Sequence, residues 1–233
     1  MKIYVIGDVH GEWNLLNQFL NKKKPDIVLQ CGDFGYWPNF NDSYELGNHI
    51  RDIYGNIKKK RKWYQCSIKN KDTKIYFCDG NHEDHWSLTK LENNEICSNI
   101  FYMKRGSILE LPNKRKVLFI GGADSIDKHY RTIGIDWFPE EVISQKDIYN
   151  LPDEKIDIVI SHTCPKEFLP ELGFDFGKSK DCSCDALSYV LEKYRPKLWY
   201  FGHWHINKTG FTKEVRWFCL NMIAETNWFQ QLI

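Results

Sequence analysis

Across 233 residues, 32 lysines and arginines face 31 aspartates and glutamates, a balance that excludes binding of nucleic acid by bulk charge. A hydrophobic share of 42%, with 15% aromatic residues, suits a globular chain able to bury a sizeable core. No window reaches the ~18 consecutive apolar residues of a membrane span, and the opening "IYVIG" is too short for a secretory h-region, so the expectation is a cytoplasmic protein with no membrane partner.

In chain order, the first predicted element is the strand "KIYVI" (2–6), which stops at "GDVHG" with Asp8 and His10. The segment "EWNLLNQFLNKK" (12–23) sets Trp13, Leu16, Phe19 and Leu20 at helical spacing. The strand "DIVLQC" then runs into "GDFG" with Asp33. "SYELGNHIRDIYGNI" (43–57) reads as a second helix, and the basic run Lys58, Lys59, Lys60, Arg61 and Lys62 as its solvated end and a loop, the alternative being a patch for a polyanion. A third strand, "KIYFC", leads to "DGNHE" with Asn81, His82 and Glu83. The stretch "NIFYMKRGSILELPNKRKVLFIGG" reads as a hairpin. "PEEVISQKDIYNL" reads as a helix with Pro139 in its first turn. The strand "DIVIS" meets His162, and "SCDALSYVLEKY" reads as a helix with Ser183 as N-cap. "KLWYF" is followed by "GHWH", with His203 and His205 and with Trp204 read as continuing the strand; "INKTGFTKEVRWFCLN" closes the pattern as a second hairpin. Strands alternating with helices imply an α/β layered fold, partly antiparallel, and no linker or repeat divides residues 1–233 into more than one domain.

The eight cysteines suit a reducing compartment. Cys31, Cys78 and Cys219 lie in apolar runs, where a thiol serves as a small hydrophobe. Cys182 and Cys184 form a C-x-C pair with no matching second half for a thiolate metal site.

Five strand endings thus carry ligand-type side chains. In open α/β sheets ligands bind beyond the carboxyl ends of strands, so neighbouring strands would bring Asp8, His10, Asp33, Asn81, His82, His162, His203 and His205 to one rim. His49, His85 and His129 fall outside the pattern and read as structural or peripheral. Carboxylate, amide and imidazole donors without thiolates suit manganese first, with iron, zinc, cobalt or nickel as alternatives. So many donors exceed the needs of one reactive metal but suit two, about 3.5–4 Å apart and sharing a carboxylate. Two divalent cations, two carboxylates and one hydroxide sum to a single positive charge, which favours a phosphoester in an in-line displacement.

The series "GDVHG", "GDFG", "GNHE", "SH" and "GHWH", in this order, resembles the calcineurin-like metallophosphoesterase superfamily from Lys2 to about Asn207. The resemblance implies a four-layer α/β/β/α sandwich of two mixed sheets, the metallo-dependent phosphatase fold. It implies that Asp8, His10 and His205 hold one metal, that Asn81, His162 and His203 hold the other, and that Asp33 bridges them. It makes His82 the general acid facing the leaving group; Glu83, which follows it, is expected to brace the loop or cap the next helix. The implied activity is a dinuclear metal-dependent phosphoric ester hydrolase acting by attack of a metal-bound hydroxide. Ser/Thr phosphoprotein phosphatases share the first and third motifs, but their second continues with a valine, an aspartate and an arginine; here it runs Phe34-Gly35-Tyr36-Trp37-Pro38. "LQCGDF", "GNHE", "FIGGADSIDKHYR" and "SHTCP" are similar to the branch containing RNA lariat debranching enzymes and small bacterial and phage phosphoesterases. That branch usually has Cys in place of Asp8 and a longer segment after "HYR". The expected substrate is therefore a phosphodiester of a nucleotide, RNA or DNA, with phosphoprotein monoesters as the alternative and a non-catalytic scaffold as a distant one; no protein partner is implied. Gly121 to Trp137 forms the expected substrate wall, with Arg131 pairing a phosphate and Trp37, Tyr130 or Trp137 offering flat faces to a base.

Overall fold

The computed structural model describes residues 1–38, 49–51, 57–60, 66–174 and 181–232. The first half of the chain contains β1 (Ile3–Ile6), α1 (Trp13–Lys23), β2 (Ile27–Gln30), β3 (His49–Arg51), β4 (Ile57–Lys60), β5 (Lys74–Phe77), α2 (His85–Thr89), β6 (Glu95–Cys97), β7 (Ile100–Tyr102), β8 (Ser107–Glu110) and β9 (Lys116–Ile120). The second half contains α3 (Gln145–Tyr149), β10 (Ile158–Ser161), α4 (Leu169–Leu172), α5 (Cys182–Tyr194), β11 (Leu198–Phe201), β12 (Lys208–Thr212), β13 (Val215–Cys219) and β14 (Phe229–Gln231).

These strands form two six-stranded sheets, ordered β14-β1-β2-β5-β7-β6 and β12-β13-β11-β10-β9-β8, with β3 and β4 as a separate ribbon. Each large sheet has four parallel strands inside and an antiparallel strand at each edge. The parallel strands are near-continuous apolar runs because both of their faces are covered. Strand parity sorts them into layers. Val5, Leu29, Phe119, Ile160, Tyr200 and Phe218 meet in one cluster between the sheets. The alternate residues Tyr4, Ile6, Val28 and Phe77 pack outward under Trp13, Leu16, Phe19 and Leu20 of α1. On the far side Leu118, Val159, Trp199 and Trp217 pack against Leu187, Val190 and Leu191 of α5. The order is therefore helix, sheet, sheet, helix, as the resemblance implied.

Several local expectations are corrected. The predicted helix 43–57 is strand at His49–Arg51 and Ile57, its other residues lying outside the described ones. Gly55-Asn56 is a poor helical pair, and Ile50 and Ile57 are β-branched, so strand preference prevails. Lys58, Lys59 and Lys60 accordingly sit in a strand rather than at a helix end, while Arg61 and Lys62 lie outside the described residues. The helix expected from Pro139 is a single 3-10 turn at Pro139–Glu141; α3 starts afresh behind a capping box between Ser144 and Asp147. Ser183 does not cap α5. Asp181 does, accepting from the Ser183 amide at 2.8 Å, while the Ser183 hydroxyl turns inward to accept from the Ile143 amide at 3.2 Å. The first hairpin is shorter than expected, because β7 joins the first sheet and only β8 and β9 pair as a hairpin. The second, β12 with β13, is as read. Cys182 is exposed and Cys184 buried on α5, and among the described residues the clustered metal-ligand groups contain no cysteine.

Candidate active site

The carboxyl ends of both sheets meet at one rim. Asp8 and His10 follow β1, Asp33 follows β2, and Asn81 and His82 follow β5 of the first sheet. His162 follows β10, and His203 and His205 follow β11, of the second. The expected convergence is thus made by two sheets facing each other, not by neighbouring strands of one. β11 ends at Phe201, so Trp204 does not continue it. Beyond it the backbone turns left-handed at His203 (φ 66°) and His205 (φ 49°), as it does at His10 (φ 50°) and Asp33 (φ 52°). Each such turn costs a non-glycine residue roughly 1–3 kcal/mol and is held by its surroundings. Backbone bonds do the holding: the Val9 and His10 amides both donate to the Asp33 carbonyl, at 3.0 and 2.8 Å, and the Gly202 amide donates to the His162 carbonyl at 2.9 Å. Gly202 also lacks room for a side chain, since a Cβ there would lie 1.9 Å from Asp8 Oδ1.

The ligating atoms fall into two groups. Asp8 Oδ2 lies 3.0 Å from His205 Nε2, which is 3.2 Å from His10 Nε2. Asn81 Oδ1 lies 3.0 Å from His162 Nε2 and 3.1 Å from His203 Nδ1. Asp33 stands between them, Oδ2 being 3.7 Å from His10 Nε2 and Oδ1 3.3 Å from His162 Nε2. Asp8, His10 and His205, and likewise Asp8, Asp33 and His162, each bring ligand atoms within 4.8 Å of one another, so Asp8 reaches toward both groups. Asp8 is fully buried and accepts the His203 amide on both oxygens at 3.1 Å.

The hydrogen-bond polarity fits a cation. His162 Nδ1 donates to the Cys31 carbonyl at 2.8 Å, so in the neutral ring Nε2 is a lone pair. Asn81 Nδ2 donates to Ser125 Oγ at 3.0 Å, which leaves its carbonyl oxygen pointing at the two imidazoles. Lone pairs and a carboxylate therefore face one another, an arrangement that repels without positive charge among them. In the chain alone a proton answers that demand: burial opposes it, but Asp33 and then Asp8 raise the His162 imidazole to about 10. Burial likewise works to raise Asp33, yet His162, His82 and His10 hold its carboxyl well below the usual range. Burial and the neighbouring His162 push His203 down to about 3. The residues present thus suit a hard or borderline divalent cation.

His82 and Arg131 come together beside this centre. The His82 amide donates to Asp33 Oδ1 at 2.8 Å, and Arg131 Nη2 lies 3.3 Å from His82 Nε2. Burial lowers His82 to about 4; Asp33 opposes this, and His10 and Arg131 add to it. Arg131 also pairs with Asp127 at 2.7 Å, so it is both braced and adjacent to the site. Tyr130 is 93% exposed and Trp137 half-buried. Trp37 is not an available face: it is buried and packs against Phe138. Glu83 braces its loop as expected, accepting from the Gly35 amide at 3.0 Å and the Gly80 amide at 2.6 Å, while Asp84 caps α2. His85 is structural, bonded to the Gly80 carbonyl at 3.0 Å, and His129 is exposed; of His49 only the backbone, in β3, is described.

Sequence reasoning missed Ser125, Glu141 and the pair Arg105–Asp79. Ser125 lay in the segment flagged as the substrate wall, but Glu141 read as an ordinary acid of a helical first turn. Only the fold shows it buried against Ser125.

Two sheets that end together in carboxylates, imidazoles and an amide define a layered α/β protein with a candidate metal-binding site at the shared rim. Residues 1–207 match the family of calcineurin-like phosphoesterases, and the chain belongs to that family of metal-dependent phosphoester hydrolases. A lariat debranching enzyme of Schizosaccharomyces pombe is 24% identical over 244 residues, covering 92% of this chain and 50% of the relative. A lariat debranching enzyme of Gallus gallus is 23% identical over 241 residues, covering 91% and 44%. The chain therefore spans about half the length of the curated relatives it matches. Among solved structures, the phosphopantetheinyl hydrolase of Mycobacterium tuberculosis aligns with a TM-score of 0.48 at 11% identity, covering 100% of this chain and 95% of that one. Among the described residues no helix is long and apolar enough to cross a membrane.

Proposed function

We propose that residues 1–233 form one metallophosphoesterase domain that holds two divalent ions, manganese first, and hydrolyses a phosphodiester of a nucleotide or nucleic acid in a reducing cytoplasm. The observation that carries the metal reading is the convergence of acceptor atoms of Asp33, Asn81, His162 and His203. Asp8, His10 and His205 would hold one ion, and Asn81, His162 and His203 the other, with Asp33 shared. When bound, the ions supply Lewis acidity toward a phosphoryl group and a nucleophilic water. Arg131 binds a non-bridging phosphoryl oxygen. That would draw its guanidinium away from His82 Nε2 and remove one of the charges that keep the ring neutral, so that the ring takes up a proton from water and delivers it to the leaving oxygen.

Three features support a diester. Two divalent ions, the Asp8 and Asp33 carboxylates and one hydroxide would sum to about one positive charge, which matches a monoanion. The second motif offers half-buried Tyr36 and buried Trp37 where protein phosphatases place an aspartate and an arginine. Tyr130, turned to solvent next to Arg131, presents a flat face of the kind a nucleobase stacks on. Two relatives named as lariat debranching enzymes support a nucleic-acid substrate, and burial of Cys31, Cys78, Cys164, Cys184 and Cys219 as small apolar side chains is in keeping with a reducing compartment.

The test compares kcat/KM in manganese for a short RNA and a cyclic dinucleotide against nitrophenyl phosphate and a phosphoserine peptide. The nucleotide diesters should be cleaved at least as efficiently as the monoesters. A large preference for the phosphopeptide over every nucleotide diester would restore the phosphoprotein phosphatase alternative.

A further inference from the structure

Asn81 can serve a cation only through its carbonyl end, yet a carboxamide has two ends of nearly equal size. What selects the end lies outside the ring of ligating side chains. Asn81 Nδ2 donates to Ser125 Oγ at 3.0 Å; Ser125 Oγ in turn donates to Glu141 Oε2 at 3.0 Å, and the Ser125 amide donates to Glu141 Oε1 at 2.6 Å. All three residues are buried, at 6%, 2% and 1% exposure, so no bulk water can substitute for a missing partner. The Glu141 backbone is fixed from both sides, because its carbonyl accepts from the Ala123 amide at 3.0 Å and from Arg105 Nη2 at 2.9 Å.

Hydrogen-bond direction decides the rest. An ionised carboxylate only accepts. Ser125 has a single hydroxyl hydrogen, which Glu141 takes, so Ser125 Oγ is left as an acceptor toward Asn81. The amide end of Asn81 must then face Ser125, and the carbonyl end must face His162 and His203. We infer that Glu141 is a positioning residue, acting through Ser125 to set the orientation of the Asn81 carboxamide and hence the affinity of the His162–His203 side of the centre for its ion. The inference rests on the dinuclear reading above and adds the device that makes its neutral ligand usable.

Reversing the polarity of the hydrogen-bond chain tests the role of Glu141. Glu141→Gln preserves shape, and its carbonyl can still accept the Ser125 amide. Its amide, however, donates to Ser125 Oγ, which frees the Ser125 hydroxyl to donate toward position 81. That favours the flipped Asn81 carboxamide, with its NH2 turned toward the imidazoles. In Asn81→Asp both ends are oxygens, so the reversed chain is satisfied at every step when the two substitutions are combined. The full chain is dialysed at pH 8 against graded Mn2+, and bound metal is read by elemental analysis, with thermal unfolding followed to show that each variant is folded. Wild type should take up two equivalents. Glu141→Gln should lose affinity for one equivalent by about 10–100-fold, the range typical of outer partners of metal ligands, and leave the other unchanged. The Asn81→Asp/Glu141→Gln pair should bind within about threefold of Asn81→Asp alone. Ser125→Ala reaches the same loss by a second route, removing the acceptor without altering the charge of Glu141. Two undiminished equivalents in both Glu141→Gln and Ser125→Ala, or a double variant as weak as the sum of its single effects, overturns the inference while leaving the dinuclear reading intact. Fewer than two equivalents in wild type overturns both.

Discussion

Arg105→Ala should be among the most damaging substitutions in the protein, although Arg105 touches no ligating side chain. Its guanidinium is 9% exposed and meets Asp79 Oδ2 from Nη2 at 2.6 Å and from Nε at 3.0 Å. The same group donates to Asp147 at 3.1 Å and to the carbonyls of Glu140, Glu141 and Val142 at 2.9, 2.9 and 2.7 Å. Asp79 is 1% exposed, and its remaining side-chain partner is the Tyr102 hydroxyl at 3.1 Å. Burial works to raise Asp79, but the charge and hydrogen bonds of Arg105, together with His85, keep the carboxyl below its ordinary range. Truncation leaves a buried carboxylate without its cation, a loss of about 3–5 kcal/mol. For a domain of this size each kcal/mol shifts the melting temperature by ~2–4 °C, so Tm should fall by roughly 6–20 °C. Arg105→Lys keeps the charge but not the fork, and should lie between wild type and Ala. Differential scanning fluorimetry in chelator, backed by urea unfolding, measures the effect. A fall of less than ~3 °C in Arg105→Ala would mean that this network is ornamental. Because the same guanidinium positions the Glu141 backbone, residual folded Arg105→Lys should also bind its second manganese more weakly.

His82→Ala should keep both metal equivalents and lose ~10²–10⁴ in kcat on substrates with poor leaving groups, and much less with a nitrophenolate; equal slowing of both substrate types refutes proton donation, and loss of metal would make His82 a ligand. Asp33→Ala should lower bound metal and abolish turnover, and two retained equivalents by elemental analysis would end its role as the shared carboxylate. Burial raises Glu141 to about 7 from an ordinary value of 4.5, against the opposing hydrogen bonds of Ser125 and the charge of Arg131. A raised folded-state pKa stabilises the fold below the unfolded value and loses that contribution as pH rises through the folded one. Metal-free wild type should therefore lose up to about 3 kcal/mol relative to Glu141→Gln between pH 4.5 and 8; a difference flat across that range in urea titrations contradicts the assignment.

The pattern of residues alone determines the strands, α1 and α5, and the donor set, because each is a local fact. The run Ile3–Ile6 is apolar on both faces, the spacing of Trp13, Leu16 and Leu20 makes one helical stripe, and each ligand-type residue follows its strand within a few positions. The family motifs add an expected grouping of these donors; in the structure Asp8 lies beside His205, and Asn81 beside His162 and His203. What the pattern could not decide is set by contacts far apart in the chain. Whether five strand endings lie in one sheet or two depends on inter-sheet packing, with Val5 and Leu29 finding Phe119 and Ile160. Trp37 and Tyr130 look alike as aromatic loop residues, yet packing against Phe138 buries the first while the second stands exposed. Ser183 and Asp181 are both plausible caps, and the choice falls to Asp181 because the Ser183 hydroxyl is claimed by Ile143. The bond from Ser125 to Glu141 spans 16 residues, and the bond from Asn81 to Ser125 spans 44. Hydrogen-bond direction in a buried chain has no periodicity to read. It exists only once the fold has excluded water and fixed the partners of each group.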